Sequence, residues 1–218
     1  SVPIVIRAPF GGRRGYGPSH SQSLESWFMS VPGLKVVVPS TPLLGAQLLR
    51  SAIRDDDPVI FLEHKLLYDQ REQLRPEELT GAFPLGRGRI VREGQDITVI
   101  TYGYGVGIAR AAAKSLADEG VSVEILDLMT LKPYDRRLIF DSVERTGKAV
   151  FFEEGVRTGG VGGEIMAEVA ENCIDVLDGR LVRIGARDLP VPASRIAEDM
   201  VLPGVPDLVA GIRRAMTF

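Results

Sequence analysis

The sequence predicts an α/β protein made of two successive parallel-sheet units, and three observations carry that prediction. Short apolar runs rich in Val and Ile recur at 2–6, 34–38, 59–62, 97–101, 121–126, 149–152 and 181–184. Such runs mark strands buried on both faces of a parallel sheet. Stretches of helical periodicity lie between them, so strand and helix alternate. The alternation is interrupted once, over 63–93, where Arg71-Glu72, Arg75-Pro-Glu-Glu78 and the glycine-rich 81–88 show no sustained period. That stretch is the best linker, and it sets units at 1–75 and 96–218 with a connection at 76–95.

The elements follow in order. Pro3 places the first strand near its start. A polar, glycine-rich loop follows, Gly15-Tyr-Gly-Pro-Ser-His-Ser-Gln-Ser23, and residues 24–29 then make one or two helical turns in which Trp27 reads as core. Thr41 with Pro42 is a helix start, Leu44, Leu48, Leu49, Ala52 and Ile53 recur on one face, and Asp55-Asp56-Asp57-Pro58 ends the helix. In the second unit, helices are expected over 106–119 closed by Gly120, over 135–146 closed by Gly147, and over 162–172. Asp207 is expected to cap a terminal helix that buries Leu208, Val209, Ile212 and Met216. Cys173 falls in register with Met166, Val169 and Ala170 and reads as a small hydrophobe.

Composition bounds the function. The 218 residues, 44% hydrophobic and 25% charged, suit a globular protein with a core for one large or two small domains. No apolar run is long enough for a membrane span, so no membrane partner is expected. A net charge of −3 lacks the basic field of a nucleic-acid binder. One cysteine forms no internal disulfide, no secretion signal is read, and the opening at Ser1 in a Val/Ile run implies a fragment.

Four places invite chemistry. His20 sits between two serines and an amide in the glycine-rich loop, and its imidazole exchanges protons near neutrality, with Ser19, Ser21 or Gln22 placed to fix its tautomer. Thr101-Tyr-Gly-Tyr-Gly-Val-Gly107 with Asp127 downstream suggests a dinucleotide site, but G-x-G-x-x-G requires glycine where Ile108 stands. Asp55-Asp56-Asp57 reads as a helix-ending acidic turn more readily than as a divalent-ion cluster. Glu153-Glu-Gly-Val-Arg-Thr-Gly-Gly-Val-Gly-Gly-Glu-Ile165 leads into a helix as an anion cradle would, yet its glutamates make phosphate unwelcome. His64 stands alone at the linker's entrance, without metal-spaced partners, and is expected to be exposed or hydrogen-bonded.

The His20 loop, Val2-Pro-Ile-Val-Ile-Arg-Ala-Pro9, Pro32-Gly-Leu-Lys-Val-Val-Val-Pro39 and Ala52-Ile-Arg-Asp-Asp-Asp-Pro-Val-Ile-Phe-Leu-Glu63 together resemble the beta subunit of thiamine-diphosphate-dependent 2-oxo acid dehydrogenases, in the transketolase-like superfamily, and the resemblance continues to Phe218. It implies the C-terminal part of a pyrimidine-binding domain over 1–75 and a transketolase C-terminal-like α/β domain over 96–218, with roughly a hundred family residues, about one compact domain, missing before Ser1. By resemblance the parent enzyme decarboxylates a 2-oxo acid (pyruvate or branched-chain) on thiamine diphosphate and passes the acyl group to a lipoyl arm, with His20 the catalytic acid. The carboxylate that activates the coenzyme would lie upstream of Ser1, and magnesium and the diphosphate would be held by the alpha subunit. Backbone carbonyls of Ile4, Ala52, Ile53, Asp55 and Asp57 would hold a structural potassium ion, as carbonyl oxygens replace its hydration shell. The implied partners are an alpha subunit, a second beta subunit, the small 2-oxo acid and the subunit-binding domain of a dihydrolipoyl acyltransferase, docking near Phe218. The implied location is the bacterial cytoplasm or the mitochondrial matrix, and the fragment alone is expected to be inactive. Two alternatives stand beside this reading: a non-catalytic assembly module, and a nucleotide-binding α/β protein.

Overall fold

The computed structural model describes residues 1–217, so the expectation placed on Phe218 lies outside the described residues. Among the described residues, nine strands and eight α-helices follow in the order β1 (Val5–Phe10), α1 (Glu25–Met29), β2 (Lys35–Val37), α2 (Pro42–Ile53), β3 (Val59–His64), α3 (Pro76–Thr80), β4 (Arg89–Arg92), β5 (Ile97–Thr101), α4 (Gly105–Ala117), β6 (Val123–Asp127), β7 (Thr130–Lys132), α5 (Arg136–Thr146), β8 (Ala149–Val156), α6 (Val161–Cys173), β9 (Val182–Ala186), α7 (Arg195–Glu198) and α8 (Val205–Met216). They build two sheets, ordered β1-β3-β2-β7 and β4-β6-β5-β8-β9. Pairing is parallel except where β7 meets β2 and β4 meets β6.

Local chemistry accounts for the element ends. The Thr41 hydroxyl accepts the Leu44 N–H at the start of α2, Asp135 does the same for Leu138 at α5, and Gly147 ends α5 in the left-handed conformation. Asp207 sits inside α8 and not at its cap, but its carboxylate accepts the Gly204 N–H and so satisfies the same helix end. Cys173 is buried in the central core, as its register predicts.

The two sheets share that core. Phe10, Val36, Val38, Ile60 and Leu62 of the first sheet pack with Ile100, Leu126 and Phe151 of the second, closed by Ile139 and Val143 of α5 and by Ile165, Met166 and Val169 of α6. A second layer sets α4 and α8 on the far face of the second sheet, and α2 covers the outer face of the first. β7 is the staple: the chain leaves β6 in the second sheet and crosses at once to pair with β2 in the first.

Several expectations need correction. The first strand is not buried on both faces: it forms later, at Val5–Phe10, pairs with β3 alone at the sheet edge, and leaves Val2, Ile4 and Ile6 about half exposed. Trp27 is exposed, because α1 turns Glu25, Phe28 and Met29 inward instead. Ile53 also lies outside the core, at the frayed end of α2. The stretch read as a linker contains α3 and β4, and β4 takes an edge of the second sheet.

Two glycines test this packing in opposite directions. At Gly94, between β4 and β5, an added Cβ would lie 2.1 Å from the Glu124 nitrogen and 2.2 Å from the Val123 carbonyl carbon, backbone that cannot yield. Gly107, exposed on α4, meets nothing within 4 Å. Gly94→Ala is therefore predicted to cost about 3 kcal/mol. Gly107→Ala should gain about 1 kcal/mol of helix propensity, and urea denaturation of the two variants reads both signs.

Candidate functional site

The site grows from the loop between β1 and α1. Its base is closed by the Gly11 N–H on the Gln22 carbonyl at 3.1 Å, and a turn inside it is held by the Ser21 N–H on the Gly17 carbonyl at 3.0 Å. Lys65, just after β3, donates its ammonium to the carbonyls of Gly11 and His20, one at each side of the loop. His20 is exposed and lines a cleft of ≈ 230 Å³ with Phe10, Leu24, Phe28, Leu62 and Lys65. That cleft lies at the C-terminal ends of the parallel strands β1 and β3, the usual ligand position in an open α/β sheet. Of the polar neighbours expected to fix the tautomer, Ser19 reaches the ring, its Oγ 2.8 Å from Nδ1, which leaves Nε2 to meet a ligand. Ser21 is buried and points elsewhere, and Gln22 lines the cleft without bonding the ring.

Beneath the loop lies a buried ionisable cluster contributed by both sheets. Glu154 on β8 accepts three hydrogen bonds, from the Gly12 N–H at 2.7 Å, Arg13 Nε at 3.0 Å and His64 Nε2 at 3.1 Å. The Leu66 N–H donates to Nδ1 of His64, so Nε2 carries the proton that goes to Glu154. The His64 ring stacks on Tyr104 at 4.7 Å and meets Phe10 edge-on at 5.2 Å. Burial disfavours the Glu154 charge, but the hydrogen bonds from His64 and the Gly12 N–H and the Arg13 cation outweigh it and hold the carboxyl below the usual carboxylate range.

Glu153, next along β8, faces the other way. It accepts the N–H groups of Val161 and Gly162 at 2.9 and 3.0 Å, so the N-terminus of α6 is filled by the chain's own carboxylate. This is the physical reason the glycine-rich stretch is not an anion cradle. Burial lifts the Glu153 carboxyl to about 8 despite those two donors. Glu25 of α1 comes close to it: the Cβ that Gly155 lacks would stand 3.4 Å from Glu153 Oε2 and 3.6 Å from Glu25 Oε1. Burial lifts the Glu25 carboxyl to about 7, against the pull of the Tyr102 hydroxyl, which donates to it at 2.6 Å.

The remaining sequence candidates fall elsewhere. Asp127, which a ribose would need, is fully buried and accepts from Ser40 Oγ at 2.5 Å and Arg89 Nε at 3.2 Å, so a nucleotide finds it occupied. The chain before β1 reaches the 52–57 turn through Val2, whose N–H donates to the Asp56 carbonyl, while the Ile4 carbonyl accepts the Val59 N–H and the Ala52 carbonyl accepts the Asp55 N–H, so each of those two oxygens already carries one hydrogen bond. The Asp55 carboxylate is taken by Lys35 at 2.6 Å, with Asp57 3.2 Å from the same ammonium. Lys35 thus takes up the Asp55 and Asp57 side chains, while Asp56 is exposed. Sequence reading missed Glu25, Tyr102, Arg13 and the function of Glu154. The one signal was the paired glutamates ending an apolar strand, where charge is costly unless partnered.

Residues 1–70 match the family described as transketolase, pyrimidine binding domain, and residues 86–208 match transketolase, C-terminal domain. The chain is 42% identical over 217 residues to "Pyruvate dehydrogenase E1 component subunit beta-1, mitochondrial" of Arabidopsis thaliana, covering 99% of this chain and 60% of that protein. It is 39% identical over 212 residues to "Pyruvate dehydrogenase E1 component subunit beta" of Rhizobium meliloti (strain 1021), covering 97% of this chain and 46% of the relative. The chain therefore spans 60% or less of the length of these curated relatives. Among solved structures it superposes on "Split gene transketolase, inactive beta4 tetramer" with a TM-score of 0.81 and 25% identity, over 98% of this chain and 67% of that one.

The buried carboxyls predict how stability follows pH. Glu25 and Glu153 bind protons more tightly folded than unfolded, so their contribution is full below about 4.5 and is lost as pH rises through about 7 and about 8. Glu154 works oppositely, contributing fully above about 4.5 and losing its contribution as pH falls toward about 2. The melting temperature should therefore drop by several degrees between pH 5 and pH 8, at about 2–4 °C per kcal/mol for this size. Glu25→Gln, which still accepts from Tyr102, should visibly flatten that drop in a calorimetric pH series.

Proposed function

The chain belongs to the transketolase family, with a pyrimidine-binding unit followed by a C-terminal-domain unit and pyruvate dehydrogenase E1 beta subunits among its relatives, and from that premise we propose that it acts as the beta subunit of a 2-oxo acid dehydrogenase's decarboxylating component, with pyruvate as the oxo acid. The observation that carries this reading is His20, held in an anchored loop over an open cleft at the ends of two parallel strands.

Thiamine diphosphate fits the cleft in kind, since Phe10, Leu24, Phe28 and Leu62 offer an apolar wall to an aromatic ring while Ser19, His20, Gln22 and Lys65 supply polar edges. When bound, it supplies the carbanion equivalent that attacks a keto carbon. His20 does the proton work: with Ser19 on Nδ1, its Nε2 gives a proton to oxygen or sulfur as negative charge develops there. Lys65 holds the His20 carbonyl and keeps the backbone fixed during that transfer. The cleft's ≈ 230 Å³ is smaller than the roughly 300–1,000 Å³ of common ligand sites, which supports a site completed by an alpha subunit that also brings magnesium and the diphosphate-binding residues.

A second role, in assembly, is favoured by the half-exposed Val2, Ile4 and Ile6 at and just before β1, the outer strand of its sheet, since an apolar strand edge invites a partner. A second beta subunit and the acyltransferase's subunit-binding domain are the partners this reading takes. The proposal of potassium at the carbonyls of Ile4, Ala52, Ile53, Asp55 and Asp57 draws support from the Val2 bond to Asp56, which brings the two segments together, and from the Lys35 pairing that takes up the Asp55 and Asp57 side chains.

Mixing the chain with an alpha subunit and following pyruvate-dependent dye reduction tests the enzyme reading, and turnover would refute a purely structural role. In the assembled enzyme His20→Ala is predicted to slow acyl transfer to lipoamide by about 10²–10⁴-fold while changing coenzyme affinity little; equal loss of both, or no loss, removes the role given to His20. Exchanging potassium for sodium should lower the melting temperature of the chain. An unchanged transition argues against the ion site.

A further inference from the structure

Resting on the His20 reading above, we propose that Glu154 is a positioning residue for His20, acting across the junction between the two units through Gly12, Arg13 and the His64–Lys65 corner. The carboxylate belongs to β8 of the second sheet, while every group it holds belongs to the first unit.

Three features of the loop make this one carboxylate decisive. Arg13 has φ +70°, a conformation that L side chains rarely adopt, and it keeps it because Nε bonds Glu154 at 3.0 Å, a second nitrogen bonds the Pro203 carbonyl at 2.5 Å, and a third lies 3.4 Å from Asp199. Gly11 and Gly12 have no room for a side chain: a Cβ would stand 2.2 Å from His64 Nε2 at the first and 2.5 Å from Leu202 at the second. The loop thus lies flat on His64 and on the 193–203 segment, with Gly15 N–H adding a bond to the buried Glu198 at 2.9 Å. His64 also fixes the direction of the chain into Lys65, whose ammonium grips the Gly11 and His20 carbonyls. Glu154 is therefore bonded to the loop's start directly and to its far side through His64 and Lys65.

A general stabilising role would weaken the whole fold and leave the loop no more affected than the rest. The positioning role predicts a local effect. In Glu154→Gln the isosteric amide keeps one acceptor oxygen but loses the charge and places an NH2 group against existing donors. Hydrogen exchange of the 11–22 peptide should then rise at least about tenfold while β5 and α4 exchange as before. Because the sequence holds only two histidines, the His20 imidazole resonance can be followed directly, and it should shift or broaden as the Ser19 contact loosens. In the enzyme assembled with an alpha subunit, acyl transfer should fall by up to about 10²-fold, and Glu154→Gln should cost little more when His20 is already alanine.

Unchanged exchange over 11–22, or a Glu154→Gln effect that adds fully to that of His20→Ala, overturns the proposal. If Glu154→Gln fails to fold, Glu154→Asp decides, since it keeps the charge but withdraws it by one methylene from Gly12, Arg13 and His64: raised exchange in the loop supports the proposal and unchanged exchange sinks it. Should His20→Ala leave acyl transfer intact, the catalytic reading of His20 falls, while the exchange and resonance data still decide whether Glu154 holds the loop.

Discussion

A single ionised carboxylate, Glu154, governs how the two sheets meet at the candidate site. Burying a charge of this kind costs several kcal/mol unless its lone pairs are taken up, so the geometry that satisfies it is enforced. Its donors are a backbone N–H, a guanidinium and an imidazole, drawn from two separate turns of the first unit. Moving either turn away from β8 would strand the charge. The consequence reaches the sequence: Gly11 and Gly12 stand where side chains would displace His64 and Leu202.

The adjacent glutamate shows how finely environment separates two identical side chains. Successive residues of a strand face opposite sides, so Glu153 and Glu154 enter different surroundings although they are bonded neighbours. Glu154 meets a cation and three donors and is held ionised; Glu153 meets two helix-end N–H groups and the nearby Glu25, and burial raises it toward protonation. Both pockets lie between units. Glu153 orders the start of α6, and beside it the Tyr102 hydroxyl bonds Glu25, which brings α1 to the loop before α4.

What could be read from the sequence was whatever is encoded locally. The Thr41–Pro42 start of α2, the Asp135 and Gly147 ends of α5 and the apolar register of Cys173 depend on residues within a turn or two, and each lies where its pattern places it. Strands β4 and β7, three or four residues long, have too few positions to show a period and exist because a distant strand pairs with them. β1 reads as buried because its composition is that of a central strand, whereas its place at the sheet edge is set by topology. Trp27 misleads similarly, since five residues of helix define no face until the tertiary fold turns one inward. At the site, His20 was legible because a polar glycine-rich loop displays it. Its supports were not, because Arg13 and Glu154 are 141 residues apart and neither is unusual alone.

These two halves of the site follow different physical demands. A group that is to exchange protons with a ligand has to stand in the open, and His20, exposed on its loop, receives little direct packing. Its position therefore has to be imposed from below, through the backbone and through groups that water does not reach. The loop meets that demand with carbonyls gripped by Lys65, a strained Arg13 held at three points, and Gly11 and Gly12 pressed onto His64 and Leu202. Strain at such a place persists only where surrounding contacts over-determine it. The second unit supplies the deepest of those contacts, so the loop that carries His20 rests on a sheet to which the histidine itself does not belong.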